Sequence, residues 1–282
     1  MSTLRFIIIL SGHKTSFVIP RSYRILRGIP YAAIRLACLS CLFITTLGAD
    51  ETPLRIAVAA NFSATAETLS VQFEATYGIG VHLVSGSSGK HATQITYGAP
   101  FDVFLSADRA KPAALHARGL SANTPRTYAR GQLAVIVPID AKDSAVEWLI
   151  QSTEQRIVIA NPRVAPYGEA AQYLLDRWSI DRSRVVSAEN VSQAYQLVLS
   201  GNVDAAIIAL PQLKAKPLPS HLGAWTPDSS TYPPIEQDVV LINNDRDDPA
   251  AQHFVEFLLG SQAQTVIHRA GYLAPEADDA QP

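Results

Sequence analysis

The chain has 282 residues, of which 23 are basic and 25 are acidic. Six of the basic residues and none of the acidic ones precede Asp50, so residues 50–282 carry 17 basic against 25 acidic residues, a formal charge of −8. This acidic excess argues against nucleic acid, and against an anionic membrane surface, as a partner.

The first 49 residues have the pattern of a secretory signal peptide. Basic residues precede a short apolar run, 36–47, which is followed by Gly48, Ala49 and an acidic start. The run is shorter than the roughly 20 residues of a membrane-spanning helix; an uncleaved anchor is the alternative. We expect cleavage near Gly48 or Ala49. It would remove both cysteines, Cys38 and Cys41, and leave a protein without a disulfide or a cysteine-ligated metal.

After this leader, apolar β-branched runs alternate with segments of helical periodicity, which favours an α/β fold. In 62–77, Ala66, Leu69 and Phe73 recur at helical spacing, and Gly78 marks the end of the helix. The predicted strands are 54–59, 80–84, 102–105, 131–137, 156–160, 185–188, 203–209 and 238–242. The predicted helices are 62–77, 88–97, 108–118, 144–150, 167–178, 191–200, 249–259 and 261–270.

Two stretches rich in proline and polar residues, 121–130 and 211–234, interrupt this alternation. We therefore predict two lobes. Residues 50–130 together with 238–282 form the first lobe, and residues 131–237 form the second. Two chain crossings would then make a hinge, with a ligand in the cleft. A single continuous α/β domain with long loops is the alternative.

Four polar turns each follow a predicted strand and open a predicted helix. Helix N-termini present free N–H groups and attract anions, and side-chain donors at the same place add to this effect. Each turn by itself is also compatible with a simple helix cap or a buried tyrosine. The turns contain Asn61 with Ser63, Ser87 with Ser88, Pro166 with Tyr167, and Asn190 with Val191.

The second turn, 85–90, has glycines on both sides of two serines, which lets the backbone approach a ligand closely. It differs from a nucleotide-binding P-loop, because Val84 stands where that motif needs glycine and His91 stands where it needs serine or threonine. Lys90 is expected to be solvated. The histidines show no metal-ligand spacing and no Gly-x-Ser-x-Gly motif is present, so the residues indicate no catalytic site.

The segments 59–63, 87–89 and 98–108 resemble the periplasmic molybdate-binding protein family, and the stretch 98–108, which ends in Ser106-Ala107-Asp108, is the most specific. Further similar segments are 130–138, 161–168 and 189–191, so the resemblance covers about Leu54 to Gly271. It implies a type II periplasmic binding fold with two lobes, each a mixed sheet flanked by helices. Molybdate or tungstate would bind in the cleft through neutral hydrogen-bond donors and pass to an ABC transporter permease.

By motif, the resemblance implies that Asn61, Ser88 and Tyr167 bind the anion with their side chains. Val191 would donate its backbone N–H, and Ala60 would add its own. The resemblance also implies a monomeric periplasmic receptor that is not an enzyme, with no cofactor, no catalytic residue and no directly ligated metal.

Enteric members of the family use another tyrosine, after the strand 203–208, where this chain has Ala209. Tyr167 would take its place, in combination with Asn61.

Three other functions are weighed against this one. A receptor for sulfate or phosphate often adds an arginine or aspartate, and none of the four turns places one convincingly. An enzyme on the same fold, such as a bilane-forming deaminase, needs a cysteine for its cofactor, and residues 50–282 have none. A lobe that senses an effector for transcription would accompany a DNA-binding segment and lack a secretion signal.

Overall fold

The computed structural model describes residues 5–10, 13–18, 52–244 and 249–275. Residues 1–50 and 51–282 form two separate compact units. In the first unit, strands β1 (Arg5–Leu10) and β2 (His13–Val18) pair antiparallel. The predicted apolar run 36–47 and its cleavage site lie outside the described residues. No helix among the described residues is long and apolar enough to cross a membrane.

The described part of the second unit contains ten strands and nine α-helices. The strands are β3 (Leu54–Ala59), β4 (Val81–Gly86), β5 (Val103–Leu105), β6 (Arg126–Gly131), β7 (Leu133–Pro138), β8 (Ile157–Ala160), β9 (Val185–Ala188), β10 (Ala205–Ala209), β11 (Leu222–Trp225) and β12 (Ile235–Leu241). The helices are α1 (Ser63–Tyr77), α2 (Ser88–Thr96), α3 (Ala110–Ala117), α4 (Ala145–Gln151), α5 (Pro166–Arg177), α6 (Val191–Leu199), α7 (Leu210–Ala215), α8 (Pro249–Leu259) and α9 (Ser261–Arg269).

These strands form two mixed five-stranded sheets. The first has the order β4-β3-β5-β12-β6, with β3 parallel to β4 and β5, and β12 antiparallel to β5 and β6. The second has the order β11-β7-β10-β8-β9, with β8 parallel to β9 and β10, and β7 antiparallel to β10 and β11. The predicted α/β class is therefore confirmed.

Helices cover both faces of each sheet. Neighbouring residues of a strand point to opposite faces, so each strand contributes side chains to two cores. In β3, Ile56 and Val58 pack towards α1, α8 and α9, whereas Ala57 packs with side chains of α2 and α3. In the second sheet, β7 alternates in the same way between a core with α4 and α5 and a core with α6.

Helix ends follow the local sequence. Helix α1 ends at Gly78, whose φ of 72° lies in the left-handed region that glycine adopts without strain, and its N–H donates to the Glu74 carbonyl oxygen at 2.9 Å. Pro166 occupies the first turn of α5, where its missing N–H costs nothing. The Asn190 side chain caps α6 by accepting from the Gln193 N–H at 3.0 Å, as its sequence position predicts.

Both predicted joints contain regular structure that the sequence pattern missed. The stretch 121–130 holds most of β6, so the predicted strand 131–137 is in fact β7 preceded by a separate strand. The stretch 211–234 holds most of α7 and all of β11. Strands β6 and β11 lie at sheet edges. An edge strand has a partner on one side only and tolerates polar residues, which weakens the apolar pattern of a strand.

Candidate functional site

The parallel strands of both sheets end at polar turns. In the first sheet Ala59 pairs with Gly86 at the ends of β3 and β4, and in the second sheet Ala160 pairs with Ala188 at the ends of β8 and β9. Carboxyl ends of parallel strands are the usual place for ligands in α/β folds. The four turns that follow these strands contribute to one cavity.

This cavity encloses about 210 Å³ of space not filled by atoms, part of it open to solvent. The centre of a water molecule can reach only about 10 Å³ of this space, close to the minimum that one water molecule needs, so the cavity is small and closely lined. Its walls are formed by Ala59, Ala60, Asn61, Gly86, Ser87, Ser88, Ala107, Ala165, Pro166, Tyr167, Asn190 and Val191. The structure thus brings all five predicted binding residues, Ala60, Asn61, Ser88, Tyr167 and Val191, to the walls of one cavity.

Six backbone N–H groups at these walls have no hydrogen-bond partner among the described residues: those of Asn61, Ser87, Ser88, Tyr167, Asn190 and Val191. Ser88 and Val191 are the first residues of α2 and α6, where an N–H has no acceptor within the helix. The Ala60 N–H, by contrast, donates to the Gly86 carbonyl oxygen at 2.8 Å. This corrects the expectation of a free donor at Ala60, which contributes to the wall only.

Besides the Ser87 hydroxyl, which accepts from the Lys90 N–H at 3.4 Å, two further hydroxyl groups at the walls keep a proton for a ligand. The Ser88 Oγ accepts from the Ala107 N–H at 2.9 Å, and the Tyr167 hydroxyl accepts from the Gln237 Nε2 at 3.1 Å. Neither hydroxyl donates to any residue that the structure describes. Because no described residue accepts a hydrogen bond from either hydroxyl, each O–H can donate to a bound anion.

The Asn61 side chain does not cap α1, which begins at Ser63 without a side-chain cap. Its Nδ2 lies 2.8 Å from the Gln237 Oε1 and 3.3 Å from the Tyr272 hydroxyl. The Tyr272 hydroxyl in turn donates to the Asn61 carbonyl oxygen at 2.8 Å. The Asn61 side chain is therefore held from behind, and its backbone N–H is the free donor.

Ser63, the other polar residue of the first turn, is not at the cavity wall. Its Oγ lies 2.6 Å from the Ser85 Oγ on an exposed surface, so Ser63 has neither of the two roles that the sequence left open, a cap of α1 or a donor at the cavity.

Three buried polar residues behind the cavity were not predicted from the sequence: Tyr128, Gln237 and Tyr272. The Gln237 Oε1 accepts from Asn61 and lies 3.1 Å from the Tyr128 hydroxyl. These residues come from β6, β12 and the turn after α9, far from Asn61 in the chain. The available signal was a glutamine within β12, an otherwise largely buried strand.

The cavity walls are electrically neutral, because none of the twelve side chains carries a charge. Burial raises the pKa of the Tyr167 hydroxyl well above its usual value, so this group keeps its proton at neutral pH. Helix N-termini add partial positive charge. The described residues contain no group of three or more His, Cys, Asp or Glu side chains that could hold a metal ion. The cavity therefore offers donors to an oxyanion and few ligands to a cation.

The turns on opposite sides of the cavity contact each other directly. The Gly89 N–H donates to the Val164 carbonyl oxygen at 2.9 Å, and the Lys90 Nζ lies 2.7 Å from the Glu189 carboxylate. Lys90 was expected to be solvated, and its side chain is 53% exposed but paired with Glu189. The pair cancels both charges beside the cavity.

The chain is similar to known solute-binding proteins in sequence and in structure. The sequence model of the family described as bacterial extracellular solute-binding protein matches residues 54–273. The molybdate-binding protein ModA of Azotobacter vinelandii is 35% identical over 79% of this chain and 91% of its own length. The ModA protein of Rhodobacter capsulatus is 33% identical over 77% of this chain and 86% of its own length. The structure of the A. vinelandii periplasmic molybdate-binding protein superimposes with a TM-score of 0.72 and 33% identity, covering 79% of this chain and 100% of that one.

Proposed function

Since this chain belongs to the family of bacterial extracellular solute-binding proteins, we propose that it captures molybdate, and also tungstate, in the periplasm and delivers the anion to an ABC transporter permease. The observation that most directly supports this proposal is the small neutral cavity whose walls present unpaired N–H and O–H groups. The identity with the molybdate-binding proteins of A. vinelandii and R. capsulatus over most of the chain supports this ligand.

A desolvated oxyanion requires a hydrogen bond at each of its oxygens. We assign this role to the hydroxyls of Ser88 and Tyr167 and to the backbone N–H groups of Asn61, Ser88 and Val191. All these donors are neutral, so release of the anion leaves no buried counter-charge behind. Selection over sulfate then depends mainly on cavity size, because the two anions have similar shape and charge.

We further propose that residues 50–130 with 238–282 and residues 131–237 act as two lobes that close over the anion. The two separate sheets support a division into two lobes, with the second boundary before Ile235 and not after Gln237, because β12 of the first sheet begins at Ile235. We assign the contacts of Gly89 with Val164 and of Lys90 with Glu189 to the closed form. The proposed receptor is a binding protein without catalysis, acts as a monomer, and is secreted through a signal peptide within residues 1–49.

The test is a titration of the purified protein with molybdate, tungstate, sulfate and phosphate, followed by calorimetry and thermal melting. A ligand held only by the folded state, at about 100 times its dissociation constant, stabilises that state by about 2.7 kcal/mol. We expect this response with molybdate and tungstate and none with sulfate. A response to sulfate or phosphate alone would replace the ligand and keep the receptor, whereas no response to any of the four anions would refute the function.

A further inference from the structure

Gln237 lies directly behind the cavity without lining it. Its side chain is in β12 and is completely buried. Its Oε1 accepts from the Asn61 Nδ2 at 2.8 Å, and its Nε2 donates to the Tyr167 hydroxyl at 3.1 Å. One amide group therefore connects the turn after β3 with helix α5, and these two elements lie in the two proposed lobes.

The sense of these hydrogen bonds follows from Tyr272. Its only proton goes to the Asn61 carbonyl oxygen at 2.8 Å, so its oxygen can only accept from the Asn61 side chain 3.3 Å away. Asn61 must therefore present its Nδ2 on this side, where it also meets Gln237. A donor from Asn61 requires the acceptor end of the Gln237 amide, which turns the Nε2 of Gln237 towards Tyr167.

As a result, the Tyr167 hydroxyl keeps its proton free at the cavity. Because the Tyr167 oxygen accepts from Gln237, its O–H cannot donate to Gln237 and remains available for a ligand. We propose that Gln237 is a positioning residue that makes the Tyr167 hydroxyl a donor to the anion and anchors Asn61, whose backbone N–H is free at the cavity wall. This inference rests on the proposed function.

The surroundings of Gln237 leave little room for another arrangement. A Cβ atom at Gly131 would lie 2.9 Å from the Gln237 Nε2 and would overlap the Tyr167 hydroxyl. The absence of a side chain at Gly131 is thus what lets these two groups meet. A side chain at 237 that fills the same volume but has different donors is therefore a sharp test.

The experiment compares Gln237→Glu and Gln237→Met with the wild type in calorimetric titrations with molybdate. Gln237→Met keeps the volume and loses both hydrogen bonds, and we expect at least about tenfold weaker binding. A carboxylate at 237 would accept the Tyr167 proton and repel the anion, so Gln237→Glu is expected to bind at least about 100-fold more weakly at high pH. The matched control is Gln264→Met, because the Gln264 amide donates to the backbone carbonyls of Tyr128 and Leu258 and, among the described residues, to no group at the cavity.

The pH dependence distinguishes positioning from general support of the structure. A protonated carboxyl group has one donor and one acceptor end, as the amide does, and burial raises its pKa. Binding by Gln237→Glu should therefore recover by at least about tenfold relative to wild type between about pH 8 and about pH 6, whereas Gln237→Met should show no recovery. The anion concentration is kept low enough for monomeric molybdate.

The other titratable groups around position 237 do not confuse this comparison. Burial raises the pKa of Tyr128, Tyr167 and Tyr272 well above the usual value, so all three stay neutral. Asp238, the next residue, contacts Thr127 and Arg109 instead and has a pKa raised by burial. It is present in every variant, so its titration cancels in the ratio to wild type.

The outcomes separate the two proposals. If the wild type fails to bind molybdate, the proposed ligand is refuted, whatever the two variants do. If the wild type binds and both Gln237 variants bind within about threefold of it, the role of Gln237 is refuted. Equal loss in both variants at every pH would also overturn it, because the loss would then reflect damaged packing. If Gln237→Met does not fold, the pH series of Gln237→Glu decides alone.

Discussion

Replacing Tyr167 by phenylalanine removes one oxygen atom and keeps the ring in its buried place. In the protein without anion, the Gln237 Nε2 loses its acceptor at 3.1 Å while completely buried. An unsatisfied buried donor costs about 1–3 kcal/mol, which corresponds to a melting temperature lower by roughly 2–12 °C for a chain of this size. In the complex, a hydrogen bond to a charged group is lost, worth about 1.5–3 kcal/mol. The expected affinity for molybdate is roughly 10–150-fold lower.

The assay is isothermal calorimetry with molybdate, combined with thermal melting of the anion-free protein. Tyr232→Phe is the matched control, because the buried Tyr232 hydroxyl accepts from the Leu133 N–H at 3.0 Å and Tyr232 does not line the cavity. Both variants should lose stability, and only Tyr167→Phe should lose affinity. If Tyr167→Phe binds molybdate as tightly as Tyr232→Phe does, the Tyr167 hydroxyl does not donate its proton to the anion.

Three further predictions concern neighbouring residues. Ser88→Ala removes a free O–H and the acceptor of the Ala107 N–H. Calorimetry should therefore show about 10–150-fold weaker binding of molybdate. Unchanged affinity would show that the Ser88 hydroxyl is not a donor to the anion. Gly131→Ala places a Cβ 2.7 Å from the Tyr167 Cζ. Denaturant titrations should show a free energy of unfolding lower by about 1–3 kcal/mol, and the affinity for molybdate should also fall. A variant as stable as wild type would contradict the tight packing around Gly131. Burial lowers the pKa of His91, so the unfolded chain binds a proton first as the pH falls. Stability should be complete above about pH 6.5 and decline below it, and His91→Gln should flatten that part of the melting-temperature profile; parallel profiles would exclude His91 as the cause.

The local order along the chain follows from the sequence. Helix α1 was predicted at 62–77 and observed at Ser63–Tyr77, because its apolar spacing and the terminal Gly78 are both local signals. Helix α8 and strands β3 and β9 have the predicted bounds. The edge strands β6 and β11 were not predicted. Each pairs with one neighbour in its sheet, and an edge strand tolerates polar residues, so its sequence has no clear apolar pattern.

The turns that line the cavity were also visible in the sequence, because a polar residue between a strand and a helix is a short-range feature. Their resemblance to a known family named Asn61, Ser88, Tyr167 and Val191, and the structure brings these residues together. Which atom of each residue is free was not visible. The Asn61 side chain is committed to Gln237, and the Ala60 N–H is committed to Gly86.

The sequence by itself thus determined the α/β class, most helix and strand bounds, and the positions of the polar turns. Only the tertiary structure decided which donors keep a proton for the anion. That choice depends on Gln237 and Tyr272, which meet Asn61 across 176 and 211 residues of chain. Hydrogen-bond direction in a buried network is set by all its members together, so no single segment of the sequence contains it.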